Sequence, residues 1–390
     1  MKLYLFNPEN DLALADGGFS YCPPPAAMCI AGELASLQLW YAGVGDAVLL
    51  PDNQHYAFRD EMSVFFELPV IYSSSMQSQV SALSPWGWSA QMRHRLKAMG
   101  FDNALLPSEE CIARMRRLSS RVLTIEILTA LRDAGIDTPP LPQYMTDLND
   151  VIAYVNSHDR CVVKAPWSGS GKGIMWGIGS AEEPMINFSK GVIRRQGGVV
   201  CEHFLNAKAE FAMEFLAGDG CVEFAGYSLF TAENGAYTGN LLATNEKIEE
   251  LLMQYVSPEL LSKVKAGLCV IMQQLLAESG YRGYFGVDMM IYDNGEGIRL
   301  NPCMEVNLRM NMGVVSRLFY DRFVTAGKRG VYKVKFFKQP GESYHSHLEL
   351  QAEYPLTVEN GKVAAGYINL VPVTPGNRYI AYAIIGEDIC

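Results

Sequence analysis

Val162-Val163-Lys164-Ala165-Pro166-Trp167-Ser168-Gly169-Ser170-Gly171-Lys172-Gly173-Ile174 is the stretch around which the chain is organised. A short apolar strand carrying one lysine runs into a loop of small residues. Three glycines and two serines fall within Ser168 to Gly173, so most Cβ atoms are missing and backbone N–H groups can turn toward an anion. Lys164 and Lys172 add positive charge. The loop reads as a clamp for a polyphosphate; the plainer reading is a flexible hairpin with a surface lysine.

The common phosphate motifs do not fit. A Walker loop needs glycine five residues before Gly171 and Ser or Thr after Lys172, where this chain has Pro166 and Gly173. A dinucleotide fingerprint started at Gly169 or Gly171 puts its last glycine on Ile174 or Trp176. What remains is a lysine strand, a Gly/Ser loop and a second strand from Ile174 to Ile178, which makes a hairpin lid.

Working outward, 390 residues at 49% hydrophobic content describe a globular chain of two or three subdomains. The net charge of −10 offers no basic field for nucleic acid or an anionic membrane, so small-molecule chemistry is favoured. The apolar start Met1 to Phe6 breaks at Asn7-Pro8 and is too short for a signal-peptide core, and no apolar run approaches 18 residues. We therefore expect a soluble cytoplasmic protein. The nine cysteines form no Cys-x-x-Cys pair and point to reduced thiols rather than a disulfide frame or zinc site.

Residues 2 to 6 read as a buried strand, followed by a loop Asn7 to Asp11, a helix from Ala26 to Tyr41 and a strand from Ala47 to Leu50. This order predicts an α/β N-terminal domain with a parallel sheet. The Asn7 to Asp11 loop then lies at the carboxyl end of the first strand, where open α/β sheets place ligands; its Asn and Asp residues equally suit plain turns. Helices are expected at Ala90 to Met99, Ser108 to Arg117 and Ser119 to Ala134, the last closed by Gly135 and Pro139-Pro140. Ser257-Pro258-Glu259 opens a helix reaching Glu278. In the tail, Val331 to Phe337, Gly366 to Val373 and Tyr379 to Ile385 read as strands, and His345 and His347 as alternate residues of another.

Tyr284 to Tyr292 and Ile298 to Asn307 read as a hairpin around Asp293-Asn294-Gly295-Glu296-Gly297. In the second strand Asn301, Cys303, Glu305, Asn307, Arg309 and Asn311 share one parity, while Pro302, Met304, Val306, Leu308, Met310 and Met312 share the other. Asp288, among apolar neighbours on the first strand, needs a partner, and a hard cation supplies one. Asp288, Glu305 and Asn307 are oxygen donors suited to magnesium, with Arg309 placed to hold developing charge. A structural ion-pair network is the alternative.

The order of these motifs resembles the ATP-grasp superfamily over roughly Ser119 to Ser316. Arg121 precedes a Gly-Ile-Asp-Thr-Pro segment; the Lys164 strand and its loop follow, then Glu202-His203-Phe204-Leu205, Glu210, Asp288 and the Glu305-Val306-Asn307-Leu308-Arg309 run. The resemblance implies an α/β (α+β) ATP-grasp fold with an N-terminal α/β pre-ATP-grasp-like domain. The expected divisions are 1–118, a lid subdomain at 119–200, and 201–390 with the metal site and a β-rich tail. It implies that Lys164 contacts the α- and β-phosphates, that Ser168, Gly169, Ser170, Gly171, Lys172 and Gly173 close over the β- and γ-phosphates, and that Arg121 stands where a lysine is common. Glu202, His203 and Leu205 would meet adenine, and Glu210 the ribose. Asp288, Glu305 and Asn307 would hold two Mg2+ ions, for which Mn2+ can substitute.

The implied activity is ADP-forming: a small-molecule carboxylate becomes an acyl phosphate, which an amine or thiol then attacks, with Lys164 and Arg309 carrying the catalysis. Asn7, Asn10, Asp11 and Asn311 are the candidate substrate contacts. No nucleic acid or membrane partner is implied, and a homo-oligomer is compatible with the sequence. Two rival readings are a small-molecule kinase, which would yield a stable phosphorylated product without a second substrate, and an ATP-binding module without catalysis.

Overall fold

The computed structural model of the protein describes residues 1–169, 173–218, 220–233 and 236–386. Ser170, Gly171 and Lys172 lie outside the described residues.

The first of three sheets contains β1 (Lys2–Leu5), β2 (Ala47–Val48), β3 (Val70–Ile71) and β4 (Ala82–Pro85), in the order β3-β2-β1-β4. All its pairings are parallel, as the strand, helix, strand order requires. Both faces are covered. Leu3, Leu5 and Ala47 pack with Met92 and Leu96, while Phe6 and Val48 pack with Trp40 and Phe58. Around the sheet lie α1 (Asn10–Asp16), α2 (Pro25–Glu33), α3 (Asn53–Met62), α4 (Ala90–Ala98) and α5 (Glu109–Leu118). Two expectations shift here. The Asn7 to Asp11 loop is already helical from Asn10, and the helix expected over Ala26 to Tyr41 changes after Glu33 into a 3-10 segment, Ala35–Trp40.

Beyond α6 (Leu123–Asp133), a second sheet is formed by β5 (Gln143–Met145), β6 (Cys161–Lys164), β7 (Ile174–Gly177) and β8 (Val199–His203), in the order β5-β8-β6-β7 and antiparallel throughout. The helices α7 (Leu148–Asn156) and α8 (Glu183–Gln196) cover one of its faces. Asp147 caps α7 by accepting from the Asn149 N–H, and α8 stops at Gly197, whose φ of 88° is the left-handed conformation that glycine tolerates. Cys161, Val163, Val199 and Cys201 pack against Val151, Val155, Met185 and Val192 on that face. By alternation Val162, Lys164 and Glu202 point the other way.

The third sheet has nine strands in the order β13-β12-β9-β10-β11-β14-β17-β16-β15. Its strands are β9 (Asn206–Gly218), β10 (Cys221–Glu233), β11 (Ala236–Leu242), β12 (Gly283–Asp293), β13 (Ile298–Asn307), β14 (Gly330–Phe336), β15 (Thr357–Glu359), β16 (Lys362–Asn369) and β17 (Tyr379–Ile385). The helices α9 (Asn245–Leu252), α10 (Pro258–Leu276), α11 (Met312–Phe323) and α12 (Glu342–Glu353) complete the chain. Phe211, Met213 and Phe215 of β9 pack with Val264, Leu268 and Met272 of α10, whose N-cap is the expected Ser257, accepting from the Leu260 N–H. The tail strands extend the sheet, but His345 and His347 lie on α12 and not on a strand. There His345 Nδ1 meets the Gly341 carbonyl and His347 Nδ1 the Tyr367 hydroxyl. Every described cysteine is a free thiol. Among the described residues no helix is long and apolar enough to cross a membrane.

Candidate active site

The second and third sheets, with α1 of the first, bring charged residues to two neighbouring clefts. Lys164 ends β6 and is buried, and its register partner on β7 is Ile174. Just beyond, the Ala165 N–H donates to the Gly173 carbonyl at 2.8 Å, which closes the base of the loop. A Cβ on Gly173 would lie 2.2 Å from Ser168 Oγ, so only glycine lets the two sides of the base meet. Lys164 Nζ lies 2.6 Å from Glu202 Oε2 on β8, and both side chains are largely buried.

Arg121, 3% exposed, ties this loop to the third sheet. Its Nη1 donates to the Ala165 carbonyl at 2.9 Å and to Ser168 Oγ at 2.5 Å, and its Nη2 donates to Glu305 Oε2 on β13 at 2.8 Å. Such a forked contact suits a planar guanidinium and not an ammonium.

Glu305 stands directly opposite Asp288 in the β12–β13 register. Opposed side chains on neighbouring strands sit roughly 5 Å apart at Cβ, and like charges there repel. Burial first, and then the Glu305 charge, push the Asp288 carboxyl up to about 7. Asn307 Nδ2 donates to Asp288 Oδ2 at 3.0 Å. Among the described residues no group of three or more His, Cys, Asp or Glu is gathered to hold a metal; the set here is two carboxylates and an amide oxygen. Glu210, half-buried on β9, is raised by burial, with the Lys164 charge opposing.

Arg309 follows β13. Burial opposes its charge, but Asp11 outweighs that and holds the guanidinium firmly protonated. Arg309 Nε donates to Asp11 Oδ1 and Nη2 to Asp11 Oδ2, both at 2.7 Å. This pair, 298 residues apart in sequence, joins the first sheet's α1 to the end of β13. Asp11, Trp167, Ser168, Glu305, Asn307 and Arg309 line a narrow cleft.

A second narrow cleft is lined by Leu128, Pro139, Pro140, Glu202, His203, Leu205, Asn301 and Cys303. Its walls are mostly apolar, with one carboxylate at the edge. Burial, then the neighbouring His158, lower the His203 imidazole, which keeps its ring neutral at pH 7. The buried Cys303 thiol is pushed up by burial and feels Asp288, Glu202, Glu305 and Lys164 together, so the two clefts share one electrostatic neighbourhood.

The remaining sequence candidates are less open to a ligand. Asn7 is clasped to Gly87, donating from Nδ2 to its carbonyl at 2.9 Å and accepting its N–H at 3.3 Å. Asn10 is 1% exposed and packs on Gly87, and its side-chain amide has no hydrogen-bond partner among the described residues. Asn311 caps α11 through Oδ1 and donates from Nδ2 to Glu214 Oε2 at 2.9 Å. Glu214, fully buried and pushed up to about 8 chiefly by burial, is a neighbour of the site on β9, four residues beyond Glu210. Pro139 and Pro140, read from the sequence as a helix boundary, are also walls of the second cleft. Asn301 and Cys303 share the parity of Glu305, and that was the available signal for their place.

No protein-family model matches the chain, and none of the curated proteins does. Solved structures do. The chain is similar to N5-carboxyaminoimidazole ribonucleotide synthetase from Thermus thermophilus (TM-score 0.50, 12% identity, 98% of this chain and 93% of that one). It is also similar to a biotin carboxylase from Campylobacter jejuni in a β,γ-ATP complex (TM-score 0.51, 11% identity, 99% and 87% covered). A third match is the biotin carboxylase domain dimer of Hydrogenobacter thermophilus 2-oxoglutarate carboxylase, in complex with MgADP, ADP and bicarbonate (TM-score 0.51, 11% identity, 100% and 86% covered). Chain order, the lysine hairpin, the opposed carboxylate strands and these full-length likenesses agree: this chain has the ATP-grasp fold.

Proposed function

We propose that the protein is a Mg-ATP-dependent, ADP-forming ligase that activates a small-molecule carboxylate as an acyl phosphate for attack by an amine or thiol. The observation that carries this reading is the pair of opposed carboxylates Asp288 and Glu305, with Arg121 donating to Glu305, Arg309 feeling both charges, and the Lys164–Glu202 pair in the same electrostatic neighbourhood. Two facing carboxylates, one pushed up to about 7, favour a divalent cation between them.

In this reading Asp288, Glu305 and Asn307 would hold two Mg2+ ions, for which Mn2+ can substitute, once Arg121 releases Glu305. Bound magnesium would neutralise phosphate charge. Lys164 leaves Glu202 for the α- and β-phosphates, with Arg121 and Ser168, Gly169, Ser170, Gly171, Lys172 and Gly173 around the rest. Glu202, His203 and Leu205 take adenine in the second cleft, and Glu210 the ribose. Arg309 binds anionic oxygen near the transferring group. Asn7, Asn10 and Asn311 shape the substrate side from beneath. Residues 1–118, 119–200 and 201–390 serve as substrate-side domain, lid and metal-bearing subdomain. The reaction runs in the cytoplasm.

In the first step a carboxylate oxygen attacks the γ-phosphorus and ADP leaves. The nucleophile then attacks the acyl carbon, and phosphate departs with that carboxylate oxygen. The test is a screen of carboxylate and amine pairs for ADP release, followed by 18O-labelled acid with the active pair. The proposal expects one 18O in the released phosphate. Unlabelled phosphate, or a stable phosphorylated acceptor, contradicts it.

A further inference from the structure

We propose that the Asp11 carboxylate is an internal occupant of the anion position on Arg309, and that an acid substrate enters the cleft by displacing it. This rests on the ligase reading above. A guanidinium has five N–H groups. Two go to Asp11, from Nε and Nη2, at 2.7 Å each. The other Nη2 hydrogen goes to Asn307 Oδ1 at 3.0 Å, and one Nη1 hydrogen to the Met310 carbonyl at 3.0 Å. One N–H remains. Planar recognition of a carboxylate takes two parallel donors, and the pair that faces the first cleft is already filled.

The occupant is well seated. A Cβ on Gly169 would lie 2.8 Å from Asp11 Oδ2, so the base of the Gly-rich loop covers the pair from above. Ser168, Glu305 and Asn307 line the same cleft. Asp11 therefore sits between the loop base and the metal strand, where an acid must lie to meet a γ-phosphoryl group. A buried guanidinium without a partner is costly, and Asp11 removes that cost until a carboxylate of the same geometry arrives. The exchange replaces one forked pair by another and admits only anions that can match the fork. The competing role, a fixed brace that orients Arg309 throughout turnover, predicts the opposite response to losing the charge.

The test uses acetate as probe, with chloride at equal ionic strength as control, read by thermal unfolding in the presence of Mg-ADP. Asp11→Asn should lower the half-saturating acetate concentration about tenfold, the loss of roughly one charge-assisted competitor, and Arg309→Lys should abolish the acetate response. Equal or weaker acetate binding by Asp11→Asn overturns the inference. In the unaltered protein, acetate should speed hydrogen exchange through α1 (Asn10–Asp16), which Asp11 anchors; unchanged exchange at saturating acetate also overturns it, whether or not the variant folds. Mg-ATP stabilisation of the unaltered protein reports on the ligase reading separately. If it is absent, that reading fails, while a flat acetate comparison with Mg-ATP binding intact sinks the displacement alone.

Discussion

Asp288 and Glu305 face each other across β12 and β13; Arg121 donates to Glu305 from a distant stretch, and the Arg309 charge acts on Asp288 from just past the end of β13. The first expectation concerns pH. The Asp288 carboxyl is raised from 3.8 to about 7 in the folded protein. Between those values the unfolded chain releases a proton that the native state keeps, so this group's contribution to stability falls as pH rises from about 4 to 7. Glu214, raised to about 8, acts in the same direction over a slightly higher window. Asp288→Asn should make the ligand-free protein more stable at pH 8 by about 1 kcal/mol and change little at pH 4. Urea unfolding at the two pH values checks this; equal effects at both would contradict it.

Mg-ATP should respond to pH in the opposite sense. A cation needs the ionised form of Asp288, so the stabilisation by Mg-ATP should grow as pH rises through about 7. Asp288→Asn should flatten that profile as well as weaken binding.

The Lys164–Glu202 pair gives a test by double substitution. Removing Lys164 alone leaves Glu202 poorly solvated without its partner, and should cost about 2 kcal/mol. Adding Glu202→Gln should recover most of that stability without restoring nucleotide binding. If stability and binding return together, Lys164 is serving only as Glu202's counter-ion.

How much of this was readable in the sequence divides along contact distance. The hairpins, the parallel first sheet and the helix ends at Ser257 and Gly135 carry local signals: alternation, a capping hydroxyl, a glycine with positive φ. The Lys164 strand and the pairing of the Asp288 and Glu305 strands were legible for the same reason. The Asp11–Arg309 and Arg121–Glu305 pairs had no local signal, because each joins segments set side by side only by the completed fold. The tail histidines misled because their spacing of two matches a strand, while packing of His347 against Tyr367 favours α12.

Glycine substitutions separate close approach from free space. A Cβ on Gly313 would fall 2.2 Å from Glu214 Oε1 and 2.5 Å from Ser228 Oγ, all in the buried polar pocket beside Asn311. Gly313→Ala should cost about 2 to 3 kcal/mol. Gly32, in α2 with nothing within 4 Å of a built Cβ, should accept alanine with a gain of up to about 1 kcal/mol. Denaturant midpoints for the two variants decide, and equal shifts would remove the packing argument.

Whether these residues form a working Mg-ATP cleft is tested most directly by thermal unfolding. The unaltered protein and the Lys164→Ala, Glu202→Gln double variant would each be heated alone, with Mg-ATP, and with ATP plus chelator. A ligand at 100 times its dissociation constant adds about 2.7 kcal/mol. Stabilisation of the unaltered protein by Mg-ATP, lost with chelator and in the folded double variant, is the predicted result. An unchanged melting curve with Mg-ATP, or the same shift in both proteins, would contradict the account.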